Sequence, residues 1–180
     1  QLIARAEGTP EDVIAGTLAF QKSTFALVKE TADATILEEK LRPLCVELYR
    51  ALPEDQRNAI GSEELWIKGQ MTALTSPWFR YFLTYDPKPA LEKVKCPVLA
   101  LGGGKDLQVP ATENLKGIEE ALKAGGNKNY TVRELPDLNH LFQTAKTGGV
   151  SEYAKIEETF SPAALQIIGD WIVSVTGPGK

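Results

Sequence analysis

Apolar positions in the first 75 residues recur at helical rather than strand spacing. Thr9-Pro10-Glu11-Asp12 offers a hydroxyl cap, a proline at the first helical position and two acids in the electropositive first turn. After it Val13, Ile14, Leu18, Phe25 and Val28 fall on successive turns of one helix. Ile36, Leu37, Leu41, Leu44, Cys45 and Leu48 supply the apolar face of a second helix, and Pro43 inside it predicts a break or kink. Pro53-Glu54-Asp55 and Gly61-Ser62-Glu63-Glu64 open two shorter helices, the latter reaching about Leu74. Nothing here alternates with period two. Residues 1–75 are therefore expected to form an all-helical subdomain.

Beyond residue 75 the pattern changes. Ser76-Pro77 is a cap and first-turn pair that opens a short aromatic helix from Trp78 to Tyr85, stopped by Asp86-Pro87. Pro89 keeps the following linker extended. The continuous apolar run Cys96-Pro97-Val98-Leu99-Ala100-Leu101, ended by Gly102-Gly103-Gly104, reads as a strand buried on both faces of a parallel sheet. Residues 111–124 form an amphipathic helix through Leu115, Ile118, Ala121 and Leu122, stopped by Gly125-Gly126. Tyr130–Leu135 is a second strand, and Ser161-Pro162 starts a last helix with Leu165, Ile168, Trp171 and Ile172 on its apolar side. Residues 76–180 thus read β-α-β-α with a right-handed parallel crossover. Two parallel strands do not make a stable sheet alone, so partners for their edges are expected from elsewhere.

The chain has 180 residues, 43% hydrophobic and 24% charged, with a formal net charge of −4. That composition belongs to a folded globular chain, not a disordered one. The mildly acidic balance provides no electrostatic footprint for nucleic acid and no basic cluster for an anionic membrane. No apolar run approaches the length of a membrane span. Cys45 and Cys96 lie far apart and there is one His, which fits neither a disulfide framework nor a nitrogen–sulfur zinc site. The opening Gln1-Leu2-Ile3-Ala4-Arg5 carries no initiator Met and no leader pattern, and suggests a piece of something longer.

The chemistry concentrates on Asp106 and His140. Asp106 follows the first strand and His140 the second, and in an open parallel sheet reactive side chains converge beyond the carboxyl ends of the strands. An acid there can accept the imidazole N–H and fix its tautomer, leaving the other ring nitrogen as a general base. The same spacing also fits a solvated loop Asp and a surface His. Gly102-Gly103-Gly104-Lys105 lacks the Ser or Thr and the upstream Gly of a phosphate loop, and reads as a tight turn presenting Asp106. Ser62 reads as a helix cap and Cys45 and Cys96 as small hydrophobes; Glu152, Glu157 and Glu158 follow His140 in a loop that can approach the crevice, with hydrated surface as the default. Trp78, Tyr81, Phe82 and Tyr85 fall at i, i+3, i+4 and i+7 on one helix face.

The stretch Asp86-Pro87…Leu91…Val94…Pro97-Val98-Leu99-Ala100-Leu101-Gly102…Asp106…Val109-Pro110 resembles the acid-bearing segment of α/β-hydrolase-fold serine hydrolases. Leu135-Pro136…Asn139-His140-Leu141-Phe142 resembles their histidine loop. The resemblance spans Ser76 to about Val175 and leans towards bacterial carboxylesterase, dienelactone-hydrolase-like and serine aminopeptidase-like members. It implies an α/β fold: a helical cap over 1–75, then the C-terminal βαβα portion of the parallel sheet over 76–180, with the N-terminal half of the core missing. It implies Asp106 and His140 as triad acid and base, and an acyl pocket that Trp78, Tyr81, Phe82 and Tyr85 can line, although that face also suits packing of cap on core. The family's Gly-x-Ser-x-Gly elbow is absent; Gly61-Ser62-Glu63 lacks its second Gly. The nucleophile and oxyanion donors would then precede residue 1, and the isolated chain would be inactive towards its small-molecule acyl substrate. No cofactor or metal is implied. The partner would be the missing N-terminal half. An alternative is a non-catalytic assembly module that pairs through an exposed strand edge with a partner or a second copy.

Overall fold

A computed structural model describes residues 1–177. These residues divide into two compact units, one of Glu11–Tyr85 and one of Gln1–Pro10 with Asp86 onwards. Helix α1 (Leu2–Ala6) belongs to the second unit, where the Glu7 carboxylate just past its end accepts the Ser151 N–H at 3.0 Å.

The unit Glu11–Tyr85 is built of α2 (Glu11–Glu30), α3 (Ala34–Ala51), α4 (Glu54–Ile60), α5 (Glu63–Leu74) and α6 (Pro77–Thr84). Local chemistry sets the starts. Asp33 accepts from Thr35 and Ile36 N–H, Ser62 from Leu65 N–H, and Ser76 from Phe79 N–H with Pro77 in the first turn. Leu37, Leu41, Cys45 and Tyr49 recur every four residues and bury one stripe of α3. With Val28, Ile67, Met71 and Leu74 the first three of these form the core, and Phe79 and Leu83 of α6 pack against it. Pro43 neither breaks α3 nor ends it. It lies on the exposed face, as does Glu39, whose carbonyl it leaves without an amide partner. Cys45 is fully buried in this core, and burial pushes its thiol pKa up.

The other unit continues with α7 (Lys88–Leu91), β1 (Val98–Gly103), α8 (Ala111–Ala124), β2 (Tyr130–Leu135), α9 (Val150–Tyr153) and α10 (Pro162–Thr176). β1 and β2 pair in parallel with Val98 opposite Tyr130 and Gly103 opposite Leu135, and α8 packs on both. Ala111, Leu115, Ala121 and Leu122 are the face α8 buries; Gly126, at φ 74°, ends it in the left-handed conformation. Leu135, Leu138 and Ala164 form a small second core with Leu101, Phe142, Phe160 and Ile167 against it.

The α/β fold class expected from the sequence is overturned. Among the described residues there are ten helices and one two-stranded sheet, so the chain is mostly helical and does not contain the sheet portion of an α/β-hydrolase. Two six-residue strands are too few to form a layer that helices can sandwich. Accordingly β1 is only half-buried along most of its length rather than buried on both faces, and Cys96 just before it is exposed. The apolar side expected of α10 is likewise half open, with Leu165 and Ile172 exposed.

In a parallel ladder alternate residues face one partner. Val98 N–H reaches the Asn129 carbonyl on the β2 side at 3.0 Å, so the backbone groups of Leu99, Leu101 and Gly103 face the other edge. No described strand pairs there. Beside that edge runs an apolar groove of about 570 Å³ whose lining includes Leu99, Leu101, Phe160, Ile168, Trp171 and Ile172. No helix of the described residues is long and apolar enough to cross a membrane.

Candidate functional site

Asp106 and His140 meet at the carboxyl ends of β1 and β2. The end of β1 is drawn against the chain beyond β2 by Gly104 N–H to the Leu135 carbonyl at 2.8 Å and Lys105 N–H to the Leu138 carbonyl at 3.0 Å. Glycine makes this approach possible. A Cβ on Gly103 would lie 2.2 Å from the Leu138 carbonyl oxygen, and one on Gly104 would lie 2.7 Å from Pro136 Cα. Neither glycine has a positive φ, so the run serves close backbone contact rather than an unusual turn conformation.

Asp106 is buried, and its carboxylate is fully engaged. Oδ1 accepts from Gln108 N–H at 2.9 Å and Val109 N–H at 2.8 Å, while Oδ2 lies 2.9 Å from His140 Nδ1. An ionised carboxylate only accepts, so the proton of a neutral imidazole sits on Nδ1 and the lone pair on Nε2. The His140 side chain is 38% exposed against 9% for Asp106, and its Nε2 has no hydrogen-bond partner among the described residues. A buried acid, an oriented imidazole and an accessible second nitrogen can act together as a general base.

The loop that carries His140 is held on several sides. Asn139, with no exposed surface, accepts Leu141 and Gln143 N–H through Oδ1 at 2.9 and 3.0 Å and donates from Nδ2 to Gln143 Oε1 at 2.9 Å. Phe142 takes φ 57°, a strained value for a bulky residue, while its ring stacks on Phe160 at 5.3 Å and its carbonyl accepts Ser161 N–H. Thr144 N–H donates to the Glu158 carboxylate at 2.5 Å, and Lys105 Nζ donates to the Ala145 carbonyl at 2.7 Å. Glu152 accepts the N–H groups of Lys146, Thr147 and Gly148 and the Thr147 hydroxyl; those bonds pull its pKa down to about 2.

The structure thus brings Asp106 and His140 together, whereas Trp78, Tyr81, Phe82 and Tyr85 belong to the unit Glu11–Tyr85. All four of these aromatic residues are exposed; Trp78 stacks on Phe82 at 5.5 Å, and it is Phe79 and Leu83 that enter the core. Ser62 caps α5. Glu152 and Glu158, read from sequence as hydrated surface, instead clamp backbone amides of the histidine loop. Asn139 enters the sequence reading only as a member of the histidine-loop motif, with no role of its own, and Gln143 does not enter it at all. No protein-family model, curated protein or solved structure matches the chain.

Proposed function

We propose that Asp106 and His140 are the acid and base of a Ser–His–Asp hydrolase that cleaves a carboxylic ester or related acyl bond, with the serine contributed by polypeptide other than these 180 residues. The observation that carries the reading is the 2.9 Å contact of His140 Nδ1 with a buried, doubly amide-bonded Asp106, which leaves Nε2 open. The resemblance of the residues around both side chains to the acid and histidine segments of serine hydrolases supports it. In this reading Nε2 takes the serine proton as the serine oxygen attacks the acyl carbon. The imidazolium then returns that proton to the leaving group as its bond to carbon breaks, and a water molecule repeats the sequence to release the acid. Asp106 stays ionised throughout and balances the imidazolium charge. The chemistry calls for neither cofactor nor metal.

The test begins with the coding sequence upstream of Gln1, where a Gly-x-Ser-x-Gly elbow is expected. In the protein that includes it, Asp106→Asn lowers ester turnover by roughly 10⁴, and His140→Ala does comparable damage. The 180-residue chain alone does not react with a serine-directed fluorophosphonate. Near-normal turnover in either variant, or heat-sensitive labelling of the isolated chain, sinks the assignment.

One observation favours a second reading. The free edge of β1 and the apolar groove beside it suit pairing with an extended strand, so the chain can equally be a non-catalytic module that assembles with a second copy of itself.

A further inference from the structure

We infer that Asn139 is the positioning residue for His140: its buried carboxamide fixes the backbone that follows the histidine and thereby holds Nδ1 on Asp106. The inference rests on the reading of Asp106 and His140 as a working pair, and adds to it a residue that touches neither reacting atom.

Within residues 139–143 the chain closes on itself. Asn139 N–H donates to the Gln143 carbonyl and Phe142 N–H to the Asn139 carbonyl, both at 3.0 Å. The Asn139 side chain fills the interior of this turn, and its Oδ1 takes the two remaining inward amides, Leu141 and Gln143. His140 therefore lies between two anchored peptides, and its ring has little choice of direction. The turn is in turn fastened outside itself, because Gln143 Oε1 receives Asn139 Nδ2 while Gln143 Nε2 donates to the Glu158 carbonyl at 3.0 Å. No buried side-chain polar atom among the described residues lacks a partner, so the network is complete. The left-handed Phe142 shows that this turn is not the relaxed conformation of its sequence. Removing the carboxamide takes the acceptor from the buried Gln143 amide and the half-buried Leu141 amide and lets the strained turn reopen.

His140 is the only histidine in the chain, so nitrogen-15 NMR of the imidazole reports this site without overlap. At a pH where the ring is neutral, the wild-type chain is expected to hold its proton mainly on Nδ1. Asn139→Ala is expected to lower the Nδ1–H to Nε2–H ratio about tenfold, the size of effect that follows loss of one hydrogen bond to a charged group. Asn139→Asp, which keeps an acceptor for both amides, retains most of the wild-type ratio. Should Asn139→Ala not fold, Asn139→Ser, with one shorter acceptor, is read by the same ratio and is expected to lower it. Asn127→Ala is the control for mere destabilisation. That buried Asn holds the carbonyls of Val94 and Cys96 and is expected to cost stability without moving the His140 signal. A folded Asn139→Ala or Asn139→Ser variant with the wild-type ratio overturns the positioning role, as does an equal change in Asn127→Ala. Failure of the underlying pair is a separate outcome, in which Asp106→Asn itself leaves the ratio unchanged.

Discussion

At Gly103 a hydrogen stands where a methyl group would meet the Leu138 and Asn139 carbonyl oxygens at 2.2 and 2.7 Å. Both obstacles are backbone and belong to the segment that delivers His140, so no rotamer change can relieve the clash. Gly103→Ala is expected to destabilise by about 1–3 kcal/mol, a loss of roughly 5 °C or more in melting temperature for a unit of this size. It is also expected to disturb the His140 imidazole resonances. Gly117 offers the contrast: it is exposed inside α8 with nothing near its missing Cβ, and Gly117→Ala should stabilise by about 0.5–1 kcal/mol. Thermal unfolding followed by circular dichroism separates the two, and a neutral Gly103→Ala would contradict the close-approach argument. Asp106 and His140 could be picked out of the sequence because each follows a strand end, a position that topology makes meaningful. The role of Gly103 could be read only as a turn, since the atoms that exclude a side chain come from 35 residues further along. Asn139 is part of the histidine-loop motif, but its role was illegible for the same reason. Its value lies in burial and in a partner four residues away, and neither has a periodic signature.

Glu152 at the start of α9 works as a clamp on the loop that follows the histidine turn. Its carboxylate accepts three consecutive backbone amides, from Lys146 to Gly148, and only the ionised form can accept them all. Because these bonds lower the folded-state pKa to about 2 from 4.5, the stabilisation is fully present above pH 4.5 and is lost as pH falls through about 2. Amide-exchange protection of Lys146, Thr147 and Gly148 is therefore expected to hold down to about pH 4.5 and then decline towards pH 2. In Glu152→Gln it should be low and flat across that range; an unchanged profile would remove the clamp. Among elements, the helix starts at Ser62 and Ser76 were the most legible because their determinants are local: both cap with their own side chains. The parallel pairing of β1 with β2 across α8 followed from the same local pattern. Pro43 does not interrupt α3, so of the break and the kink that it predicts the break is excluded. The apolar run at β1 misled: its composition is that of a strand covered on both faces, and the described residues leave it half-exposed.

For the chain as a whole, composition and pattern announced helices correctly but suggested a sheet architecture that the described residues do not contain. The discrepancy has a physical consequence. The backbone groups of Leu99 and Leu101 lie along an edge that no described strand occupies, beside the groove lined by Trp171 and Ile172. Such an edge is a template for another strand, and charged or proline residues, which natural edges use to block pairing, are absent from Val98 to Gly103. If assembly is the chain's role, the pairing is isologous, β1 against β1 of a second copy, and joins two two-stranded sheets into one of four strands. Sedimentation analysis should then show mass rising with concentration from 19.7 kDa towards twice that value. Leu99→Pro removes an N–H that faces the free edge while leaving the ladder to β2 intact, a placement proline tolerates at a sheet edge. It is expected to keep the chain monomeric with the His140 resonances unmoved. A wild-type chain that stays monomeric at every concentration would eliminate the assembly reading and leave the acid–base pair untouched, because Asp106 and His140 sit past the carboxyl ends of the strands and not on the edge in question.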